Sequence, residues 1–397
     1  MFEPDNPVIL VYAEPLLAAS LKFVLSQGEA LERFVPYYVG PHQLRRGGLR
    51  MPTGRTMALS ARAGFIGKLR EMPYRRFGCA PIYLCKLRKL RPLLMHAHFG
   101  PCGLRALSLS DRLGIPLVTT IHGFDATVKD SVAEKLHYGS RDYVRRKSVL
   151  RERGRLFIAV SQFVRDKMLE QGFPEDKVVT HYIGVDTGFF WPDRQVQREP
   201  VVLFTGRLNE QKGCEYLILA MARVQALMPE IDLVIIGEGT DSDRLKKLAQ
   251  EKLKRFRFLG SQPPCVVKQW MNRAKVFSVP CVTVASGAEE GFGLVFAEAQ
   301  AMGCPVASFS SGGIPEAVAH GKTGLLARER DAEALSQNIL LILQREDLWK
   351  EMSDASRNRA LALFDLKIQT KRLEELYCQV LSKTSGIGGS VSVPLTM

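Results

Sequence analysis

Glu290 and Glu298 bracket the run Gly291-Phe292-Gly293-Leu294. Gly291 and Gly293 carry no Cβ and would let the backbone approach a ligand closely. A helical run from Leu294 to Met302 follows, and the first N–H groups of a helix have no intrahelical partner. With the helix dipole behind them they form an anion site suited to phosphate. Leu294, Glu298 and Ala301 share one face of that helix. One carboxylate therefore borders the anion site from the loop, and the other reaches it from the helix. A carboxylate beside a phosphate is repulsive unless it binds something neutral. Sugar hydroxyls are neutral donors, so the pair suits a nucleotide sugar.

Two cations offer matching chemistry. Gly206-Arg-Leu-Asn-Glu-Gln-Lys-Gly213 follows the apolar run Val201 to Thr205 and leads into a helix. Arg207 can grip two phosphate oxygens at once, and Lys212 supplies a compact charge. Together they would stabilise the charge building on a departing diphosphate. The GxxxxGK[ST] pattern is absent, so the loop is not a P-loop. His98 and His122 each fall beyond the carboxyl end of a predicted strand, where parallel sheets put ligands. His122 is read as functional and His96 as packing; His98 stays open between the two. His96 and His98 are read as lying on opposite faces of their strand, which argues against a shared metal. Asp125 either orients His122 or caps the helix after it.

The elements that must position these groups alternate in type. Predicted strands at Val8–Ala13, Phe34–Val39, Leu93–Ala97, Leu117–Ile121, Leu156–Val160 and Val178–Tyr182 are separated by helical runs, the first from Ser20 (its N-cap) to Leu31. The second half repeats the pattern at Val201–Thr205, Ile231–Ile236, Phe256–Leu259, Val276–Pro280, Pro305–Phe309 and Leu325–Ala327. This alternation predicts parallel α/β sheets. Residues 1–190 form one domain, a Pro- and charge-bearing linker runs to about 200, and residues 200–365 form the second. A last helix covers 366–381. The Gly/Ser-rich tail, 384–397, is expected to be disordered.

The Glu, seven residues, Glu spacing, the Gly206-Arg-Leu…Lys-Gly213 loop and Ile183-Gly-Val-Asp186 at the junction resemble the retaining family-4 glycosyltransferases of the GT-B fold, of the bacterial surface-polysaccharide type. The likeness covers most of residues 90–365. It implies two facing Rossmann-like domains, with the last helix crossing back to the first. It implies that Glu290 holds the transferred sugar, that Glu298 holds the ribose, and that Arg207 and Lys212 hold the diphosphate. His122 would contact the sugar next to its anomeric centre. Gly291, Phe292, Gly293 and Leu294 would border the donor, and the loop from Gly260 would meet its base through backbone groups. The donor is then a nucleoside-diphosphate sugar used as substrate, with no cofactor and no essential metal. Many relatives carry a Gly-rich turn after the first strand; here it is Glu14 to Ser20 without glycine, a departure from the family pattern at the turn whose backbone would meet the donor's phosphates, and a donor contact there stays open.

The chain has 397 residues, 46 % of them hydrophobic, and a net charge of +14. Residues 1–195 hold 30 Lys+Arg against 18 Asp+Glu, a difference of +12, and the remainder holds 25 against 23, or +2. Residues 40–77 carry nine basic residues and one acid, interleaved with Met51, Met57, Phe65, Ile66 and Tyr74. Helical pieces there would be basic on one face and apolar on the other. They would serve an anionic membrane surface, continued by cations up to Arg91, or form a solvated basic loop region over a small core. The acceptor-side excess favours a lipid-linked glycan acceptor. No apolar run reaches membrane-span length, and MFEPDN lacks a secretory pattern. Eight cysteines without a CxxC pair suit reduced thiols. A cytoplasmic protein, peripheral on the inner membrane face, is the expectation. Two other readings are a nucleotide-sugar epimerase on the same fold and, from another class, a nucleic-acid-binding protein. Zinc-finger, RNA-recognition and heptad-plus-basic patterns are absent, which argues against a nucleic-acid partner.

Overall fold

The computed structural model describes residues 6–14, 16, 21–42, 51–60, 74, 80–136 and 138–385. Seven parallel strands make the first sheet: β1 (Val8–Tyr12), β2 (Val35–His42), β3 (Thr56–Ser60), β4 (Leu94–His98), β5 (Leu117–Ile121), β6 (Leu156–Ala159) and β7 (Val178–Thr180). Their order is β3-β2-β1-β4-β5-β6-β7. Six parallel strands make the second: β8 (Glu199–Thr205), β9 (Asp232–Ile236), β10 (Phe256–Phe258), β11 (Ala274–Phe277), β12 (Val306–Phe309) and β13 (Gly324–Ala327), in the order β10-β9-β8-β11-β12-β13. β4, β5 and β12 are buried along their whole length. Helices cover both faces of such sheets, so the strands read as apolar runs without alternation. The fold is two Rossmann-like α/β domains facing each other across a cleft. In each sheet the strand order reverses once, between β1 and β4 and between β8 and β11. The loops diverging there leave a crevice at the carboxyl ends.

The chain crosses between the domains at two adjacent points. Val185 N donates to Phe364 O at 2.7 Å, and Leu366 N donates to Val185 O at 2.9 Å. The helix Leu366–Ser385 then lies on the first domain. Glu374 Oε1 accepts from Glu32 N at 2.9 Å and Arg33 N at 2.7 Å. The Tyr377 hydroxyl lies 2.6 Å from His96 Nδ1. This helix continues into the start of the stretch read as a disordered tail; the rest of that stretch lies outside the described residues, as do Ser20, Phe65, Ile66 and most of the basic run.

Two expectations fail here. Thr56–Ser60 is a strand at the sheet edge, parallel to β2, and not an amphipathic helical piece. Met57 packs on the larger core, Met51 on a second one, and Tyr74 is buried with its hydroxyl 3.0 Å from that of Tyr12. These apolar side chains are spent on the protein's own interior. The other failure concerns His96 and His98. Residues two apart on a strand share a face, and the two rings meet with centroids 4.4 Å apart.

Candidate active site

The second sheet's crevice brings Lys212 and Glu290 together. Lys212 closes a short turn whose start is capped by the Asn209 side chain. Glu290 ends the loop leaving β11. Their side chains form a partly buried ion pair between Lys212 Nζ and Glu290 Oε2. Burial alone would neutralise both. Each partner's charge overrides it, so the Lys212 pKa is held up and that of Glu290 is held down. Arg207 lies exposed on the same turn, and its charge acts on both. Cys281 Sγ sits 3.5 Å from Glu290 Oε2, and burial first, then Glu290, pushes its thiol up despite Lys212. It is an uncharged neighbour, unsuited to act as a nucleophile in this state.

The glycines beside Glu290 pack against protein on the sides where a Cβ would stand. A Cβ on Gly291 would collide with His122 O, and one on Gly293, at φ +80°, would collide with the Phe296 ring. Gly123, at φ +124°, lies back to back with Gly291. The missing Cβ atoms are filled by protein, and at Gly291 they let the two domains touch. Phe292 has only its backbone to offer a ligand. It is 2 % exposed, with its ring against Tyr182 at 5.4 Å and Phe364 at 5.2 Å, so its side chain is closed to a ligand.

Glu298 and Leu294 share a wall of another cavity, of about 310 Å³, with Lys22, Asp186, Phe189 and Pro264. Burial raises the Glu298 pKa to about 7, against the lowering effect of Lys22. Gly260, at φ +67°, lines a separate cavity with Gly237, Glu238 and Gly239. The structure thus joins Lys212, Glu290 and Arg207, puts Glu298 with Leu294, and sets Gly260 behind the Arg207 loop, in a cavity that Leu208 also lines.

On the facing domain, His122 follows β5. Its Nε2 is 3.1 Å from His98 Nδ1, and Phe99 and Phe23 flank it at 4.5 and 5.1 Å. Burial lowers the pKa of both histidines, His98 to about 3, so both rings are neutral. His122 Nδ1 is buried without a hydrogen-bond partner. Asp125 does not orient the imidazole: it accepts from the backbone N–H groups of Gly100 at 2.7 Å and of His122 and Gly123 at 3.1 Å. It ties the ends of β4 and β5 together. His96 is a core residue, with Nε2 2.7 Å from Thr120 Oγ1.

Several interdomain residues carried no sequence signal of their own. Ser161 Oγ donates to Gly291 O at 2.6 Å while accepting from Val164 N at 3.0 Å. Glu316 reaches across to the helix Gln162–Glu170, accepting from Gln162 N at 2.6 Å and Phe163 N at 2.7 Å. Lys129 N donates to Ser286 O at 2.9 Å. The partners of Ser161 and Glu316 lie 130 and 154 residues away.

A family model described as glycosyl transferases group 1 matches residues 189–359, and one described as Glycosyltransferase Family 4 matches residues 45–189. WcaL of Escherichia coli K12, named for colanic acid biosynthesis, is 32 % identical over 62 % of this chain and 61 % of its own length. The D-inositol 3-phosphate glycosyltransferase of Corynebacterium aurimucosum is 30 % identical over 73 % of this chain and 72 % of its own length. The chain thus spans about three fifths of the first relative's length and nearly three quarters of the second's. Anabaena HepE, crystallised with UDP and glucose, has a TM-score of 0.71 at 19 % identity, covering 94 % of this chain and 100 % of that one. At that identity the likeness is one of fold.

Proposed function

This chain belongs to the group 1, family 4 glycosyltransferases, and from that premise we propose that it moves a hexose from a nucleoside-diphosphate sugar to a hydroxyl of a glycan acceptor, retaining the anomeric configuration. The observation that carries this reading is the Lys212–Glu290 ion pair at the second sheet's crevice, held against His122 of the facing domain through Gly291. Within the pair each charge satisfies the other. A diphosphate arriving beside Lys212 and Arg207 takes over the cations, and Glu290 turns to the hydroxyls of the transferred sugar. His122, neutral, offers Nδ1 to that sugar near its anomeric carbon. Glu298 accepts from the ribose hydroxyls, and the Gly260 loop borders the base.

The chemistry is a same-face substitution. The bond from the anomeric carbon to the diphosphate oxygen breaks as the bond to the acceptor oxygen forms, and the leaving phosphate takes the acceptor's proton. Arg207 and Lys212 neutralise the developing charge, the task a metal would otherwise perform. Glu290, handed over from Lys212 to the hydroxyls of the transferred sugar, serves as an orienting group. The relatives named for polysaccharide biosynthesis support a glycan acceptor. The +12 excess of the first half supports an acceptor at an anionic membrane surface on the cytoplasmic side. The docking face assigned to it is the helix Pro81–Lys89, where Ile82 is 78 % exposed beside exposed Lys86, Arg88 and Lys89. Among the described residues no helix is long and apolar enough to cross a membrane.

The test is a panel of nucleotide sugars. Thermal stabilisation by one of them and by its nucleotide is expected, since ligands of the native state raise its stability. Turnover of that donor with a glycan acceptor should then give a product of unchanged anomeric configuration by NMR. Stabilisation by none, or an inverted product, would overturn the reading.

A further inference from the structure

The carboxyl ends of β4 and β5 bring two histidines into one hydrogen bond. His98, the last residue of β4, pairs in register with Thr120 of β5, and His122 follows two residues later. Residues two apart on a strand share a face, so the rings of His98 and His122 stand side by side. Their centroids are 5.4 Å apart at an angle of 26°, and His98 Nδ1 lies 3.1 Å from His122 Nε2. Behind them His96 is held at both ring nitrogens, by the Tyr377 hydroxyl at 2.6 Å and Thr120 Oγ1 at 2.7 Å, and its ring lies against His98. The other flanks of His122 are the hydrocarbon rings of Phe99 and Phe23. Among the described residues His98 is therefore the one polar group that hydrogen-bonds the His122 imidazole. The His122 carbonyl packs on Gly291 of the donor domain, next to Glu290, and His122 Nδ1 is buried without a partner.

Burial keeps both rings neutral. A neutral imidazole has one N–H and one lone pair, and the hydrogen bond at one nitrogen decides what the other offers. Two arrangements are open to the pair. In the first, His122 Nε2–H donates to His98 Nδ1, and both rings carry their proton on Nε2. In the second, His98 Nδ1–H donates to His122 Nε2, and both carry it on Nδ1. Nε2–H is the more stable neutral form of a histidine side chain, so the first arrangement costs neither ring and the second costs both. The first also leaves a lone pair at the unpartnered His122 Nδ1, where the second would leave an N–H, and a buried N–H without a partner is the rarer of the two.

We propose that His98 is a positioning residue for sugar transfer: it accepts the Nε2 proton of His122, fixes that ring, and leaves His122 Nδ1 as a lone pair that accepts a hydrogen bond from one hydroxyl of the transferred sugar. The inference rests on the transferase reading and deepens it. A donor lacking that hydroxyl leaves the buried lone pair unmet, so the histidine pair also selects the sugar.

The experiment is long-range proton–nitrogen correlation NMR on the full chain labelled with nitrogen-15 histidine, near neutral pH, with His122→Gln to assign the His122 signals. Wild type should show His122 protonated at Nε2 and bare at Nδ1. His98→Leu removes the acceptor, and His98→Asn keeps an oxygen near its place. In His98→Leu the His122 signals should move to a mixture of both forms. Its kcat should fall about three- to tenfold, the scale of one neutral hydrogen bond, with the donor KM within about twofold of wild type. His98→Asn should recover most of the rate and the Nε2–H signals. One monodeoxy analogue of the accepted donor should lose about tenfold in turnover with wild type and about twofold with His98→Leu. If His98→Leu does not fold by circular dichroism, the wild-type spectrum and His98→Asn decide the matter. His122 protonated at Nδ1 in wild type would overturn the proposal. So would an unchanged kcat in His98→Leu, or a lower kcat with the His122 signals unmoved, which would make His98 a packing residue only. The Nδ1–H form in an active wild type overturns this inference alone; a wild type that turns over no nucleotide sugar overturns the transferase reading.

Discussion

The two crevices of the molecule are built from the same topology and filled in opposite ways. At the second sheet's reversal, the loops after β8 and β11 bring a lysine and a glutamate into a partly buried ion pair, with Arg207 alongside. On the first sheet, the carboxyl ends of β4 and β5 and the helix Tyr138–Arg153 carry two neutral histidines, an aromatic-lined cavity and two buried polar atoms without partners, His122 Nδ1 and Tyr143 Oη. The donor side stores charge that is internally balanced until a charged ligand redistributes it. The acceptor side stores hydrogen-bonding capacity without charge. One crevice is thus suited to a diphosphate and the other to a neutral polyol, and the difference follows from which residue types the strand-end loops supply.

Removing charge from the donor side should have the largest effect. Lys212→Ala leaves Glu290 buried without its partner and strips the diphosphate of a cation. Turnover should fall about a hundred- to a thousandfold, as for loss of a pre-organised electrostatic contact. Glu290→Gln should cost roughly ten- to a hundredfold, with the fold preserved. Steady-state kinetics on variants with wild-type circular dichroism decide it, and unchanged rates would remove the contrast between the crevices.

Gly291→Ala tests what joins the two sides. Its methyl would strike His122 O, so the domains must separate slightly. Turnover should drop roughly ten- to a hundredfold, the scale of an ångström misplacement of reacting groups, while nucleotide binding to the second domain stays near wild type. Small-angle scattering should show a more open molecule. Loss of nucleotide binding with an unchanged shape would instead return Gly291 to the role of a ligand contact.

The pH dependence of donor binding is a smaller effect. Burial lifts the Glu298 pKa in the folded chain to about 7, above the 4.5 of an ordinary glutamate. The fold therefore favours its protonated form, so the stability it confers is complete below about pH 4.5 and is lost as pH rises through about 7. Ribose hydroxyls bind the ionised form better, so nucleotide affinity should rise up to about tenfold between pH 6 and 8. Calorimetric titration of Glu298→Gln should give a flat profile over that range; a rise as steep as wild type would detach Glu298 from the ribose.

The surface prediction is the smallest. Vesicles containing anionic lipid should sediment the protein, neutral ones should not, and raised salt should release it. Lys89→Gln should weaken sedimentation about fivefold, the share of one basic residue, and leave nucleotide binding intact. Equal sedimentation with both vesicle types would sink the membrane assignment.

How much of this was legible in the chain depends on the range of the interaction. The sequence alone determined the alternation of strands and helices, because apolar runs and helix starts are local patterns; all six predicted strands of the second half are present, with ends shifted by a few residues. It also determined the residue types at the carboxyl ends, so Arg207, Lys212, His122 and Glu290 could be picked out before any geometry. It did not determine the edge strand Thr56–Ser60, whose identity comes from pairing with β2, nor the packing of half-buried Met57 and buried Tyr74 on the core. Only the tertiary structure decided that Gly291 faces His122, that Glu316 caps a helix 154 residues earlier, and that Tyr143 closes a cavity with its hydroxyl unmet. A residue's type and its neighbours in sequence set what it can donate, accept or bury. Which group it meets is fixed when two separately patterned domains meet across the cleft, and no local pattern carries that information.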